Sequence, residues 1–135
     1  MKKISVVLAT FNEEKNLGVC LDSVIDFADE IVVVDGSSVD KTREIAEKYK
    51  AKVIKTTNKP NFHINKQMAM DKATGDLVLQ LDADEVVDAD LKQFILKIAK
   101  YNDAGGIDKY VKVPLQFAPK TKQWYFQQPE QKQKW

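Results

Sequence analysis

The chain reads as an α/β domain built on a doubly wound, mainly parallel sheet with flanking helices. Two observations predict this. Short apolar runs rich in β-branched residues alternate with segments whose apolar residues follow helical spacing. Three of those runs end in polar or acidic residues, as strands do where they leave a buried parallel sheet.

Ile4-Ser5-Val6-Val7-Leu8-Ala9 is the first strand, central by composition. Thr10-Phe11-Asn12-Glu13-Glu14 follows, where Asn12 is expected to cap a helix. Glu13 and Glu14 in its first turn would complement the helix dipole, with Leu17, Cys20, Leu21, Val24 and Ile25 inward. Glu30 to Asp35 is the second strand, Gly36 to Asp40 a turn, and Asp40 a cap for a helix over 41–49. Lys52-Val53-Ile54-Lys55 makes a short third strand, and Thr56 to Asn61 a polar loop. A helix over 62–73 turns Ile64, Met68 and Ala69 inward and closes before Gly75. Leu77 to Leu81 is the fourth strand, running into Asp82-Ala83-Asp84-Glu85. After Asp88 comes a helix with Leu91, Phe94, Ile95, Ile98 and Ala99 on one side. Lys109 to Val113 alternates well enough for one more strand, and beyond Pro114 no element is evident.

Composition bounds the possibilities. At 135 residues the chain is one domain with room for a core, and 44% hydrophobic with 30% charged residues is ordinary for a globular protein. Lys plus Arg number 21 against 20 Asp plus Glu, a balance that argues against nucleic acid as a partner. The lone Cys20 is read as a core residue and fits a reducing cytoplasm. The run Ile4–Ala9 is too short for a signal peptide, and no stretch approaches the roughly 20 apolar residues a bilayer requires.

The strand ends carry the chemistry. In a parallel sheet Thr10 and Asn12, Asp35, and the pair Asp82 and Asp84 lie along one edge. A carboxylate such as Asp35 can accept hydrogen bonds from a base N–H or a ribose hydroxyl, whereas Asp82 and Asp84 suit a hard cation on a diphosphate. The chain has neither G-x-G-x-x-G nor G-x-x-x-x-G-K-[ST], which favours metal-held phosphates over a glycine cradle. An Asp-x-Asp by itself is more often a strand end with solvated acids before a helix, and the rest of the chain must shift that reading. Glu85 reads either as a neighbour supporting such a metal or as first-turn helix charge, and His63 as a surface residue near a helix start.

Ser5 to Glu14, Ile31 to Thr42, and Ala73-Thr74-Gly75-Asp76 leading to Leu81-Asp82-Ala83-Asp84-Glu85 together resemble the N-terminal half of family 2 glycosyltransferases of the GT-A, Rossmann-like fold. The likeness covers residues 3 to 100 and is nearest to the group that builds lipopolysaccharide core and related envelope glycans. It implies that Thr10 and Glu13 line a nucleotide pocket, that Asp35 holds uracil or ribose, that Asp82 supports ribose and metal, and that Asp84 ligates Mg²⁺ or Mn²⁺. Lys66 falls where the family has a basic residue near the nucleotide, with Gln67 in place of the usual Asn. The implied reaction moves a sugar from a nucleoside diphosphate sugar, a UDP-sugar above all, to a hydroxyl of a glycan or lipid-linked acceptor.

On this reading residues 1–113 are the nucleotide-sugar-binding domain, and 114–135 are a basic, Gln-rich tail, disordered unless a partner orders it. Nothing after Asp108 resembles the family's acceptor half, which predicts a truncated form whose catalytic base is not identified. The chain would work in the cytoplasm, with its tail lysines or Trp124-Tyr125-Phe126 contacting the inner face of the plasma membrane. The competing expectation is a non-catalytic module that binds a nucleotide or a partner. A phospho-acceptor receiver domain is disfavoured because Thr10-Phe11-Asn12 lacks paired acids.

Overall fold

The computed structural model describes residues 2–58 and 62–101, apart from the side chains of Phe62 and Tyr101. The expected strand Lys109 to Val113 and the 114–135 tail lie outside them. The elements run β1 (Ile4–Thr10), α1 (Leu17–Asp22), β2 (Glu30–Asp35), α2 (Thr42–Lys48), β3 (Lys52–Lys55), α3 (Phe62–Lys72), β4 (Leu77–Leu81) and α4 (Ala89–Tyr101). All strand pairs are parallel, in the order β3-β2-β1-β4. The register sets Thr10 beside Asp35, Asp35 beside Lys55, and Leu8 beside Leu81. Every strand therefore delivers its carboxyl end to the same edge.

The chain steps from β1 outward to β2 and β3, then crosses back to lay β4 on the other side of β1. Since parallel crossovers keep one hand, that reversal sends α3 to the opposite face from α1 and α2. The packing agrees. Leu17, Cys20, Leu21, Ala46, Leu91, Ile95 and Ala99 bury against Val6, Leu8, Val33, Leu79 and Leu81. Ala69 of α3 and Ala73 just past its end bury against Val7, Val32, Val34 and Val78 on the other face. The continuously apolar strands follow from cover on both sides.

Several local expectations change. Helix α1 starts at Leu17 with Asn16 before it, so Asn12 caps nothing in α1 and the first turn holds no acid. Ile25 lies past the end of α1 and is 44% exposed, leaving Val24 as the buried neighbour. The sheet-facing stripe is Asn65 and Ala69 of α3 with Ala73 directly after it, so Ile64 points out at 46% exposure. The small alanines let the helix lie close to the strands, which is why this face carries little hydrophobic signal. Phe94 is also partly exposed, whereas Leu91, Ile95 and Ala99 bury as expected.

Gly75 does more than follow the helix. Its N–H donates to Ser5 Oγ at 2.8 Å, and an added Cβ would sit 2.5 Å from that same oxygen. Only glycine lets the chain enter β4 so close to the start of β1.

Candidate functional site

Two clusters occupy the carboxyl edge. The first is centred on Asp35, whose carboxylate is completely buried. Oδ1 accepts from Thr10 Oγ1 at 2.8 Å and Ser38 Oγ at 2.6 Å, and Oδ2 from Ser38 N at 2.8 Å and Arg43 Nη1 at 3.2 Å. Arg43 also donates to Ser38 O at 3.1 Å. A buried carboxylate is tolerable when its charge is paired and its lone pairs are filled, and Asp35 meets both conditions.

From Asp35 the bonds spread to the neighbouring loops. The Ser38 hydroxyl accepts from Asn12 N at 2.8 Å, and Val39 N donates to Asn12 Oδ1 at 2.9 Å. Asn12 itself adopts φ 53°, in the left-handed region, where its side chain crosses to the second loop. Glu13 N donates to Thr42 Oγ1 at 2.8 Å, and the Thr42 hydroxyl donates to Asp40. Asp40 also accepts from Thr42 N at 2.9 Å and Glu14 N at 3.2 Å, so it closes the start of α2 and bridges the loops at once. The turn after β2 is further held against the loop after β3. Ser37 Oγ donates to Thr56 O at 2.6 Å, and a Cβ on Gly36 would come within 3.0 Å of Asn58 Cα.

The second cluster lies at the end of β4, across β1. Asp82 N donates to Glu85 Oε1 at 2.8 Å, and Glu85 N to Asp82 O at 2.9 Å, closing a tight turn that leaves Asp84 exposed. Lys66, carried over the edge by α3, places Nζ 2.9 Å from Asp82 Oδ1, and Gln80 Nε2 lies 3.3 Å from the same oxygen. Burial pushes the Glu85 carboxyl above its usual range, helped by the charges of Asp82 and Asp84. Beneath the acids is Cys20, whose Sγ donates to Asp82 O at 3.7 Å. Its thiol is pushed up to about 12, first by burial and then by Glu85, Asp84, Asp82 and Glu13. Such a thiol is inert at neutral pH, as its core assignment requires.

The structure thus joins Thr10 to Asp35 and Lys66 to Asp82, and sets Asp84, Glu85 and Glu13 within electrostatic range of one buried thiol. Asp35 is buried with its oxygens filled by Thr10, Ser38 and Arg43, and Thr10 is buried beside it. Glu85 is not helix charge, because α4 begins at Ala89 and Asp88 Oδ1 receives Leu91 N at 2.8 Å. Sequence reasoning missed Ser38, Arg43 and Gln80. Ser38 carried a usable signal, since an Asp that opens a Gly-Ser turn tends to accept bonds from the backbone just after it. Arg43 and Gln80 carried none, their roles arising from where α2 and β4 pack.

A parallel α/β sheet with strand order reversing at β1, and with acids at the carboxyl ends on both sides of the reversal, defines the class of open α/β proteins that place a ligand site at that reversal. The sequence narrows that class. Residues 5–135 match the model of the family described as Glycosyl transferase family 2, and the chain belongs to that family. The match continues past residue 100, so the family's pattern extends further along the chain than the sequence resemblance alone suggested.

An uncharacterized glycosyltransferase of Rickettsia typhi is 39% identical over 97 residues, covering 70% of this chain and 32% of that protein. The crystal structure of Staphylococcus aureus TarS 1–349 superposes with a TM-score of 0.66 at 33% identity, covering 76% of this chain and 32% of that one. Glucosyl-3-phosphoglycerate synthase of Mycobacterium tuberculosis, solved with Mn²⁺, UDP and glucosyl-3-phosphoglycerate, gives 0.53 at 26% identity, with coverages of 63% and 36%. The chain spans about a third of the rickettsial protein's length.

The donor set suits a hard divalent cation. Among the described residues no three His, Cys, Asp or Glu side chains gather closely enough to enclose a metal by themselves. The donors that reach the Asp82 side chain among those residues go to Oδ1, and Asp84 is exposed beside it. Two carboxylates that hold an ion from one side leave its other positions to phosphate oxygens and water, as Mg²⁺ and Mn²⁺ prefer.

Proposed function

We propose that this chain is the donor-binding part of a glycosyltransferase that takes a UDP-sugar with Mg²⁺ or Mn²⁺ and passes the sugar to an acceptor hydroxyl. The observation that carries the reading is the pairing of Asp82 and Asp84 beside Lys66 at the strand-order reversal. It is supported by the family membership and by the Mn²⁺ and UDP in the mycobacterial synthase structure. Asp82 and Asp84 hold the cation, and Lys66 faces the diphosphate. Glu13 stands at the rim of the pocket. Thr10 and Asp35 act from below, fixing the turn on which the nucleoside rests. A cation bound there supplies Lewis-acid stabilisation of the departing diphosphate without a proton transfer.

The acceptor belongs on this reading to a cell-envelope glycan of the lipopolysaccharide-core kind or to its lipid-linked precursor. The work takes place in the cytoplasm, at the inner face of the plasma membrane. Among the described residues no helix is long and apolar enough to cross a membrane, so contact there would be peripheral. TarS of Staphylococcus aureus, a relative, is a poly(ribitol-phosphate) beta-N-acetylglucosaminyltransferase, so its acceptor is a polymer and not a small molecule.

Calorimetric titration of UDP into the chain, with and without Mn²⁺, tests the proposal. Binding should require the metal and should weaken at least about a hundredfold in Asp84→Ala, with folding unchanged because Asp84 is exposed. Metal-independent binding, or binding indifferent to Asp84, would overturn it.

A further inference from the structure

Lys66 lies where a metal ion and a diphosphate would both be felt. Its Nζ is 2.9 Å from Asp82 Oδ1, and its side chain is only 17% exposed while that of Asp82 is 43% exposed. The placement follows from the fold. Helix α3 runs back across the sheet with Ala69, and Ala73 just past its end, against the strands, so its first turns overhang the carboxyl edge. Gln80 reaches the same Oδ1 from β4, and among the described residues Lys66 is the cation paired with Asp82, whose turn also contains Asp84 and Glu85.

A bare divalent ion arriving at Asp82 must approach an ammonium already seated on that carboxylate. Like charges a few ångströms apart, partly shielded from water, repel strongly enough to change an affinity by a factor of ten or more. A nucleoside diphosphate alters the balance, because its oxygens offer the lysine a new partner. The flexible four-carbon stem can swing to them without moving the helix.

Resting on the nucleotide-sugar reading, we infer that Lys66 couples the two ligands: it disfavours the free cation at Asp82 and Asp84, and favours the cation that arrives with a diphosphate. Such coupling is reciprocal, so the metal tightens the nucleotide by the same factor that the nucleotide tightens the metal. The site would stay empty of adventitious cations until a donor is present. Lys66 is on this account a positioning residue whose charge sets the order of binding.

The test uses the whole chain and reads free Mn²⁺ by electron paramagnetic resonance, first without nucleotide and then with UDP. Lys66→Met should bind Mn²⁺ alone about tenfold more tightly than the wild type and should bind UDP at saturating Mn²⁺ about tenfold more weakly. Lys66→Arg, which keeps the charge, should stay within about twofold of wild type for Mn²⁺ alone. Lys66→Gln provides a second neutral variant if the methionine form does not fold, as judged by circular dichroism. Unchanged or weaker binding of free Mn²⁺ by the neutral variants, including no binding in any form, overturns the inference.

The two readings fail separately. A wild type that binds Mn²⁺ but not UDP defeats the nucleotide reading while the metal titration still decides the role of Lys66. Metal-dependent, Asp84-dependent UDP binding combined with Mn²⁺ affinities indifferent to Lys66 defeats only the coupling.

Discussion

Asp35 and Asp82 end strands that flank β1 on either side, yet their surroundings differ in every physical respect. Asp35 is buried, accepts from Thr10, Ser38 and Arg43, and anchors the bonds that tie one loop to the next. Asp82 is half exposed, shares its turn with Asp84 and Glu85, and among the described residues takes its counter-charge from a flexible lysine. A carboxylate whose lone pairs are filled from within is architecture. One left among other acids at an open edge retains the free energy to bind something from solution. The strand end alone does not distinguish these outcomes.

The comparison can be broken most forcefully at Asp35. Asp35→Ala strands the Arg43 charge and several buried donors, and should cost about 3–5 kcal/mol of stability in urea unfolding. Asp35→Asn, which keeps the shape but not the charge, should fall between the alanine variant and the wild type. A loss at Asp35 no larger than that of Asp84→Ala would erase the distinction between the two clusters.

A smaller effect tests how far the Asp35 network reaches. Asn12→Ala removes the acceptor for Val39 N and leaves a residue with a Cβ at φ 53°. About 1–2 kcal/mol of stability should be lost. Asn12→Gly, free of the backbone strain, should recover part of it. Equal losses in the two variants would mean that the hydrogen bond, and not the left-handed backbone, is what Asn12 supplies.

The smallest effect sharpens the other side. The Glu85 carboxyl is raised above its ordinary value of 4.5 by burial and then by Asp82 and Asp84, against the pull of the Asp82 N–H and of Lys66. In the folded chain it therefore holds its proton more tightly than in the unfolded chain, and its contribution to stability declines as pH rises from 4.5 through the raised value. Glu85→Gln keeps an acceptor for Asp82 N and should flatten that decline. Thermal melts across the acid range would show it. A profile unchanged by the substitution would mean that Glu85 is not under the repulsion of its neighbours.

Much of this was legible in the chain. The third and fourth strands, and the start of the 62–73 helix, fall where the apolar runs and breakers put them, because a run such as Leu77 to Leu81 tolerates only one buried environment. Errors arose where a polar residue had two partners available. Asn12 looks like a helix cap, and its side chain is used as one would be, but against a backbone N–H twenty-seven residues away. Ile64 looks like core, but α3 meets the sheet through Asn65 and the alanines. Asp82 was legible from its place at a strand end and Lys66 only through resemblance to a family, and their ion pair could not be read from spacing.

The sequence by itself determined the alternation of strands and helices, the parallel sheet, the polar groups at one edge and the family to which the chain belongs. These depend on local pattern, repeated along the chain and insensitive to small shifts. Which acid is buried among internal donors and which stays at an open edge was decided only by the tertiary structure. That choice turns on which donors the packing brings within about 3 Å of each carboxylate, since a hydrogen bond weakens steeply outside that range.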